Sequence, residues 1–195
     1  MIGANGAGVT CPRMNRRRPG SLPGAFRKTS VGSAGAGLDT GTRADDRVRV
    51  QVSIERVAAA TPALVEAFRR LLPALSPSAP QPTLAQLQEI IGATCNALLV
   101  ARLDDAIVGS VTLVFITIPS GRRARLESVV VDPSARQRGI GEALCRAAIR
   151  LAGDAGVTQI DLTSSPARAA ANRLYARLGF QRRDTNVFRL PLSPG

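Results

Sequence analysis

Val129-Val130-Val131-Asp132-Pro133-Ser134-Ala135-Arg136-Gln137-Arg138-Gly139-Ile140-Gly141-Glu142-Ala143-Leu144 is the stretch on which the fold turns. Three valines end a strand, Pro133–Arg138 reads as a loop, and Gly139 opens a helix. That helix extends to Ala155, with Ile140, Leu144, Ala147, Ala148 and Leu151 on one face at spacings of three and four. The loop carries R-x-x-G-x-G, formed by Arg136, Gly139 and Gly141. A helix start leaves about four backbone N–H groups unpaired and carries roughly half a positive charge. Glycines let a phosphate approach those amides, so this arrangement suits a pyrophosphate. A tight turn with close packing accounts for the same two glycines. The stretch lacks the G-K-[ST] of a Walker A loop and the spacing of a Rossmann G-x-G-x-x-G.

Downstream, Gly156 closes the helix and Thr158–Thr163 forms an apolar strand with Ile160 and Leu162. Ala167–Leu178 is a helix with Gly179 as its C-cap, and Arg183–Leu190 is a last strand. Upstream, Val48, Val50, Val52 and Ile54 alternate with polar residues as a half-buried strand. Thr61-Pro62 opens a helix with Leu64, Phe68, Leu71 and Leu72 inward, ending before Pro73. Thr83 caps a second helix that ends near Gly92, after a loop of three prolines. Ala97–Leu103 and Ile107–Ile118 make a β-hairpin about Asp104-Asp105-Ala106, and Arg125–Val131 is the third strand of this meander. The order β-α-α-β-β-β-α-β-α-β is that of a mixed α/β domain, with no internal repeat.

The chain has 195 residues, close to one domain of ordinary size. Its 45% apolar and 21% charged residues exclude wholesale disorder, collagen and coiled coil. No apolar run approaches the ~20 residues of a membrane span, so no membrane partner is expected. Histidine is absent and three cysteines (Cys11, Cys95, Cys145) show no short spacing. A disulfide framework, a zinc knuckle, imidazole metal sites and histidine-based triads are thereby excluded, and no metal is expected. The net charge of +12 is divided evenly. Residues 1–50 hold nine Lys/Arg against three Asp/Glu, and residues 51–195 hold seventeen against eleven. Only Lys28 is a lysine, which points to genomic base composition rather than a selected surface. With aromatics at 3%, stacking platforms are scarce and nucleic acid is not the expected partner.

Residues 1–46 have the composition of a disordered low-complexity tail, with nine of the 18 glycines before Thr42. A translation start assigned upstream of the true one explains them as well. Arg16-Arg17-Arg18 is followed by Pro19-Gly20 and never by an apolar run, which argues against a secretory signal. A cytoplasmic domain spanning residues 47–195 is expected.

Across residues 48–190 the sequence resembles the GNAT superfamily of acetyl-CoA-dependent N-acetyltransferases. Three blocks carry the resemblance: the strand and R-x-x-G-x-G loop, Leu174-Tyr175-Ala176-Arg177-Leu178-Gly179-Phe180, and the hairpin at Asp104–Gly109. The resemblance implies a single α/β domain with a mostly antiparallel central sheet flanked by helices. It implies direct transfer of an acetyl group from acetyl-CoA to a small-molecule amine, or to an amine of a peptide or protein. A homodimer is compatible with it. Two other readings stand beside this one: an acyl-CoA sensor of the same fold without turnover, and a nucleic-acid-binding protein using its basic tail.

By the same resemblance, Val129, Val130 and Val131 hold the pantetheine arm, the backbone of Val129 and Val131 pairing with it like an added strand. The amides of Gln137, Arg138, Gly139, Ile140, Gly141 and Glu142 hold the pyrophosphate, and Arg136 and Arg138 add charge near it or are plain surface arginines. Many relatives have Asn seven residues before the tyrosine, and here that position is Arg168. Arg168, Asn172 and Tyr175 share a helix face, so either Arg168 or Asn172 is the cofactor contact. Tyr175 is the implied general acid, against packing in the core. Glu127, which alternation puts on the face of Val129 and Val131, is the implied base through water, against a solvated ion pair with Arg125 or Arg123. Cys145 reads as a small buried hydrophobe rather than an acyl carrier. Thr163, Ser164 and Ser165 bind substrate hydroxyls or cap the following helix.

Overall fold

The structure, a computed structural model, describes residues 52–192. The expected tail therefore lies outside the described residues, as do Val48 and Val50 of the first expected strand. What is described falls into two compact units that meet in sequence at Leu162/Thr163.

The first unit holds strands β1 (Val52–Arg56), β2 (Asn96–Leu103), β3 (Ala106–Ile118), β4 (Gly121–Val131) and β5 (Gln159–Asp161). They form one sheet in the order β1-β2-β3-β4-β5, antiparallel throughout except for the parallel β4–β5 pair. The mixed, mostly antiparallel α/β sheet expected from the sequence is thus present. Helices α1 (Pro62–Leu75) and α2 (Leu84–Gly92) cover one face. There Leu64, Ala67, Phe68, Leu71 and Leu87 pack with Leu98, Val100, Ile107 and Val130. Helix α3 (Ile140–Asp154) covers the other face, burying Ile140, Leu144, Cys145, Ala147, Ala148 and Ala152. No helix among the described residues is long and apolar enough to cross a membrane.

Local chemistry explains the boundaries. Thr61 accepts the Leu64 N–H at 3.2 Å with Pro62 at the helix start, and Thr83 with Gln86 forms a capping box. Helix α1 overruns the expected stop at Pro73 and ends at Leu75. A proline so close to the C-terminus removes a single helical bond, and Ser76 N–H still closes on Leu72 O at 2.9 Å. Strand β4 begins at Gly121 rather than Arg125, because Pro119-Ser120 suffices to turn the chain and Gly121 (φ 128°) pairs with Ile118.

Gly109 sits where β3 is crossed by α3. A Cβ there would lie 3.0 Å from Val130 O and 3.1 Å from Leu144 Cδ1. Gly109→Ala is therefore expected to lower unfolding stability by about 1–3 kcal/mol in denaturant titrations. An unchanged midpoint would show that this contact relaxes freely.

The second unit contains α4 (Ala169–Arg177), none of whose residues is fully buried. Its end matches the expected glycine cap: Gly179 has φ 90°, and Phe180 N–H returns to Tyr175 O at 3.0 Å. The expected last strand at Arg183–Leu190 does not form. Residues 180–192 carry neither helix nor strand, leaving Val187, Phe188, Leu190 and Leu192 75%, 90%, 82% and 83% exposed. Alternation gives a segment the capacity to be a strand, but a ladder needs a partner, and none pairs with it among the described residues.

Candidate active site

Strand β4 is the axis of the site. Along one edge it pairs with β3 from Gly121 to Val131, while along the other β5 covers only Arg123, Ala124 and Arg125. From Leu126 to Val131 that second edge has no strand beside it among the described residues. Backbone N–H and C=O groups alternate along such an edge and can pair with an extended ligand, and at its end Val131 O accepts from Arg136 Nε at 3.4 Å.

A bulge interrupts β4 just there. Ser110 pairs with Val130 but Thr112 pairs with Glu127, so three residue steps oppose two, and Ser128 takes a left-handed φ of 54°. The extra residue changes which faces the side chains occupy. Glu127 shares the α1/α2 face with Val130, whereas Val131, opposite Gly109, lies on the α3 face. The expectation that Glu127 and Val131 share a face is corrected by this bulge. Serine carries no sequence mark of a bulge, so alternation alone runs straight through it.

Beyond Val131 the loop is built by hydrogen bonds. Asp132 accepts from the Ser134 N–H at 2.9 Å and from its hydroxyl at 2.7 Å, opening a 3-10 turn at Pro133–Ala135. These bonds from the Ser134 hydroxyl and amide hold the Asp132 carboxyl below the usual aspartate range, with Arg70 and Arg136 adding to the effect. Gln137 (φ 64°) and Gly139 (φ 73°) are both left-handed around Arg138. Such reversals turn successive amides into an anion-binding concavity. Gly139 is the N-cap of α3 and supplies no capping side chain, so the amides at the very start of the helix receive no acceptor from the cap residue and none from the preceding turn. A Cβ on Gly139 would meet nothing within 4 Å, which leaves open space before those amides. A pyrophosphate fits this helix start. Arg136 and Arg138 are exposed beside it, Ile140 turns its side chain into the core, and the Glu142 carboxylate pairs with Arg146 at 2.8 Å.

Glu127 is half-exposed and accepts a hydrogen bond from Arg125 Nε in an ion pair. The expected surface pairing is therefore present, and it also fixes the carboxylate on the strand next to the bulge. Cys145 is fully buried, and burial, with Glu142 nearby, pushes its thiol up to about 11. It cannot serve as a thiolate at neutral pH. A maleimide should leave Cys145 unlabelled in the folded chain and label it after denaturation, read by peptide mass mapping. Fast labelling of the folded chain would contradict its burial.

The remaining expected residues belong to the second unit. Arg168 is exposed at the N-cap position of α4. Asn172, one turn on, donates from Nδ2 to Ser165 O at 3.0 Å and so fastens the loop before α4. Tyr175 is half-buried, its ring edge-on to Phe180 at 5.9 Å. Ser165 Oγ accepts the Ala167 N–H at 3.3 Å, the capping role open to it from sequence, while Ser164 Oγ is buried without a partner among the described residues. Among the described residues no group of three or more Cys, Asp or Glu side chains is placed to hold a metal ion.

Comparison with known proteins bears on the family and the fold. The model of the acetyltransferase (GNAT) family matches residues 61–180. The mycothiol acetyltransferases of Mycobacterium avium and Mycolicibacterium paratuberculosis are each 43% identical over 70 residues, which are 36% of this chain. The matched part spans about a fifth (21%) of the length of these curated relatives. Among solved structures, an aminoglycoside acetyltransferase from an uncultured soil metagenomic sample superposes with a TM-score of 0.65 at 20% identity, over 73% of this chain and 97% of the other. An aminoglycoside N-acetyltransferase in complex with CoA gives 0.61 at 25% identity, over 72% and 94%.

Proposed function

The chain belongs to the acetyltransferase (GNAT) family, and from that premise we propose that residues 47–195 transfer an acetyl group from acetyl-CoA directly to a small-molecule amine. One observation carries the reading: the uncovered edge of β4 leads through the short turn at Pro133–Ala135 into the left-handed start of α3, where Gly139 supplies no capping side chain. One end of that path suits an extended amide-bearing arm and the other an anion.

Acetyl-CoA supplies the activated acetyl thioester. The backbone of Val129 and Val131 pairs with the pantetheine arm, and the amides from Gln137 to Glu142 hold the pyrophosphate. Arg136 and Arg138 add positive charge at that end. Glu127, held by Arg125, takes the proton released by the attacking amine through water. Tyr175 delivers a proton to the departing sulfur, and Arg168 or Asn172 contacts the cofactor from α4. The named activities of the relatives, on mycothiol and aminoglycosides, support a small-molecule acceptor.

Calorimetric titration of the full chain with acetyl-CoA should give one site per chain, and the intact mass after acetyl-CoA alone should be unchanged. No binding would overturn the reading. A stable acetyl adduct would replace direct transfer by a covalent route.

A further inference from the structure

The strand positions before the bulge carry charges that the transfer chemistry does not use. Arg123, Arg125 and Glu127 share one face of β4, and the parallel pairing places Gln159 and Asp161 beside Arg123 and Arg125 on that same face. Most of this cluster is hydrogen-bonded internally. Arg125 is paired with Glu127, and Gln159 Nε2 donates to both Asp161 oxygens at 3.1 and 3.0 Å. Arg123 is the exception: half-buried, its side chain has no hydrogen bond or ion pair among the described residues. Its guanidinium is left to take an anion, and charge-assisted pairs with a carboxylate or phosphate are the strong ones.

Its position gives that vacancy a meaning. The open edge of β4 starts immediately past Arg125, so a thioester carried along that edge from the α3 end arrives near Glu127. The acceptor must then approach from the side of Arg125 and Arg123. Glu127 and Arg123 lie four residues apart on one face, about 13 Å along the strand at ~3.3 Å per residue, a span two inward-reaching side chains close to the size of a small molecule.

We propose that the acceptor amine also carries an anionic group, a carboxylate or a phosphate, which Arg123 binds while the amine faces Glu127. This rests on the acetyl-transfer reading and names its substrate class. It sets the chain apart from enzymes acting on aminoglycosides, polycations that offer the Arg123 guanidinium no anionic group to bind.

The test compares matched amines bearing a carboxylate, a phosphate, no charge, or several positive charges, with kcat and KM measured for each on the full chain. The wild-type chain should favour an anionic acceptor over the polycation, and the better of the carboxylate and phosphate arms identifies the group. Arg123→Gln should raise KM for that acceptor about 10- to 100-fold, the range expected for a charge-assisted hydrogen bond, with a much smaller change in kcat. Arg123→Lys should recover part of the loss, and Arg123→Glu should shift preference toward the cationic amine. Arg122→Gln, on the opposite face of β4, should leave the preference as it was. Preference for the polycation, or an Arg123→Glu chain with unaltered preference, would overturn the inference and leave acetyl transfer standing. If acetyl-CoA fails to bind, the functional reading falls and this inference with it.

Discussion

Gly141→Val is expected to weaken acetyl-CoA binding at least ~10²-fold, or about 2.7 kcal/mol, while leaving the fold intact. Gly141 is the second residue of α3, in the turn whose amides have no acceptor within the helix. A branched side chain there stands between the amides and the pyrophosphate and closes off the concavity formed by Gln137 and Gly139. Valine is no worse than glycine as a helix former, so the loss should appear in affinity and not in unfolding. Gly139 is the less informative target, because any other residue at its φ of 73° adds backbone strain of about 1 kcal/mol to whatever binding is lost. Calorimetry alongside a thermal melt separates the two quantities. A folded Gly141→Val chain with wild-type affinity would remove the phosphate role from this loop.

Tyr175→Phe is expected to lower kcat by about 10²–10⁴-fold with acetyl-CoA affinity barely changed. The substitution keeps the ring and its edge-on contact with Phe180, and removes only the hydroxyl. General acid catalysis is felt when the sulfur departs, so its loss falls on turnover and not on binding. A tyrosine that served packing alone would give the reverse pattern, losing about 1 kcal/mol of stability from a missing hydrogen bond with turnover nearly intact. A stable variant with wild-type kcat would leave water as the proton donor.

The parts of this architecture legible in the sequence are those written in local chemistry. The Thr61-Pro62 and Thr83 helix starts, the Gly179 cap and the strand-to-helix loop at Asp132–Gly141 each depend on a few adjacent residues whose side chains or missing Cβ dictate the backbone. What stayed hidden depends on partners far along the chain. The bulge at Ser128 is set by the register of β4 against β3, and nothing in Glu127-Ser128-Val129 announces it. It moves Glu127 to the α1/α2 face, which periodicity places wrongly. The pattern of Arg183–Leu190 suggests a strand, yet sequence cannot state whether a neighbouring edge is there to receive it. The isolation of Arg123 was equally invisible, since it follows from Arg125 choosing Glu127 and Gln159 choosing Asp161.

Acetyl transfer itself is decided by incubating the full chain with acetyl-CoA and a panel of amines while following free CoA thiol and the mass of each amine. Thiol release that requires both substrates, matched mole for mole by an acetylated amine, is the predicted result. Tight acetyl-CoA binding with no amine acetylated across the panel would contradict it and make the domain an acyl-CoA sensor.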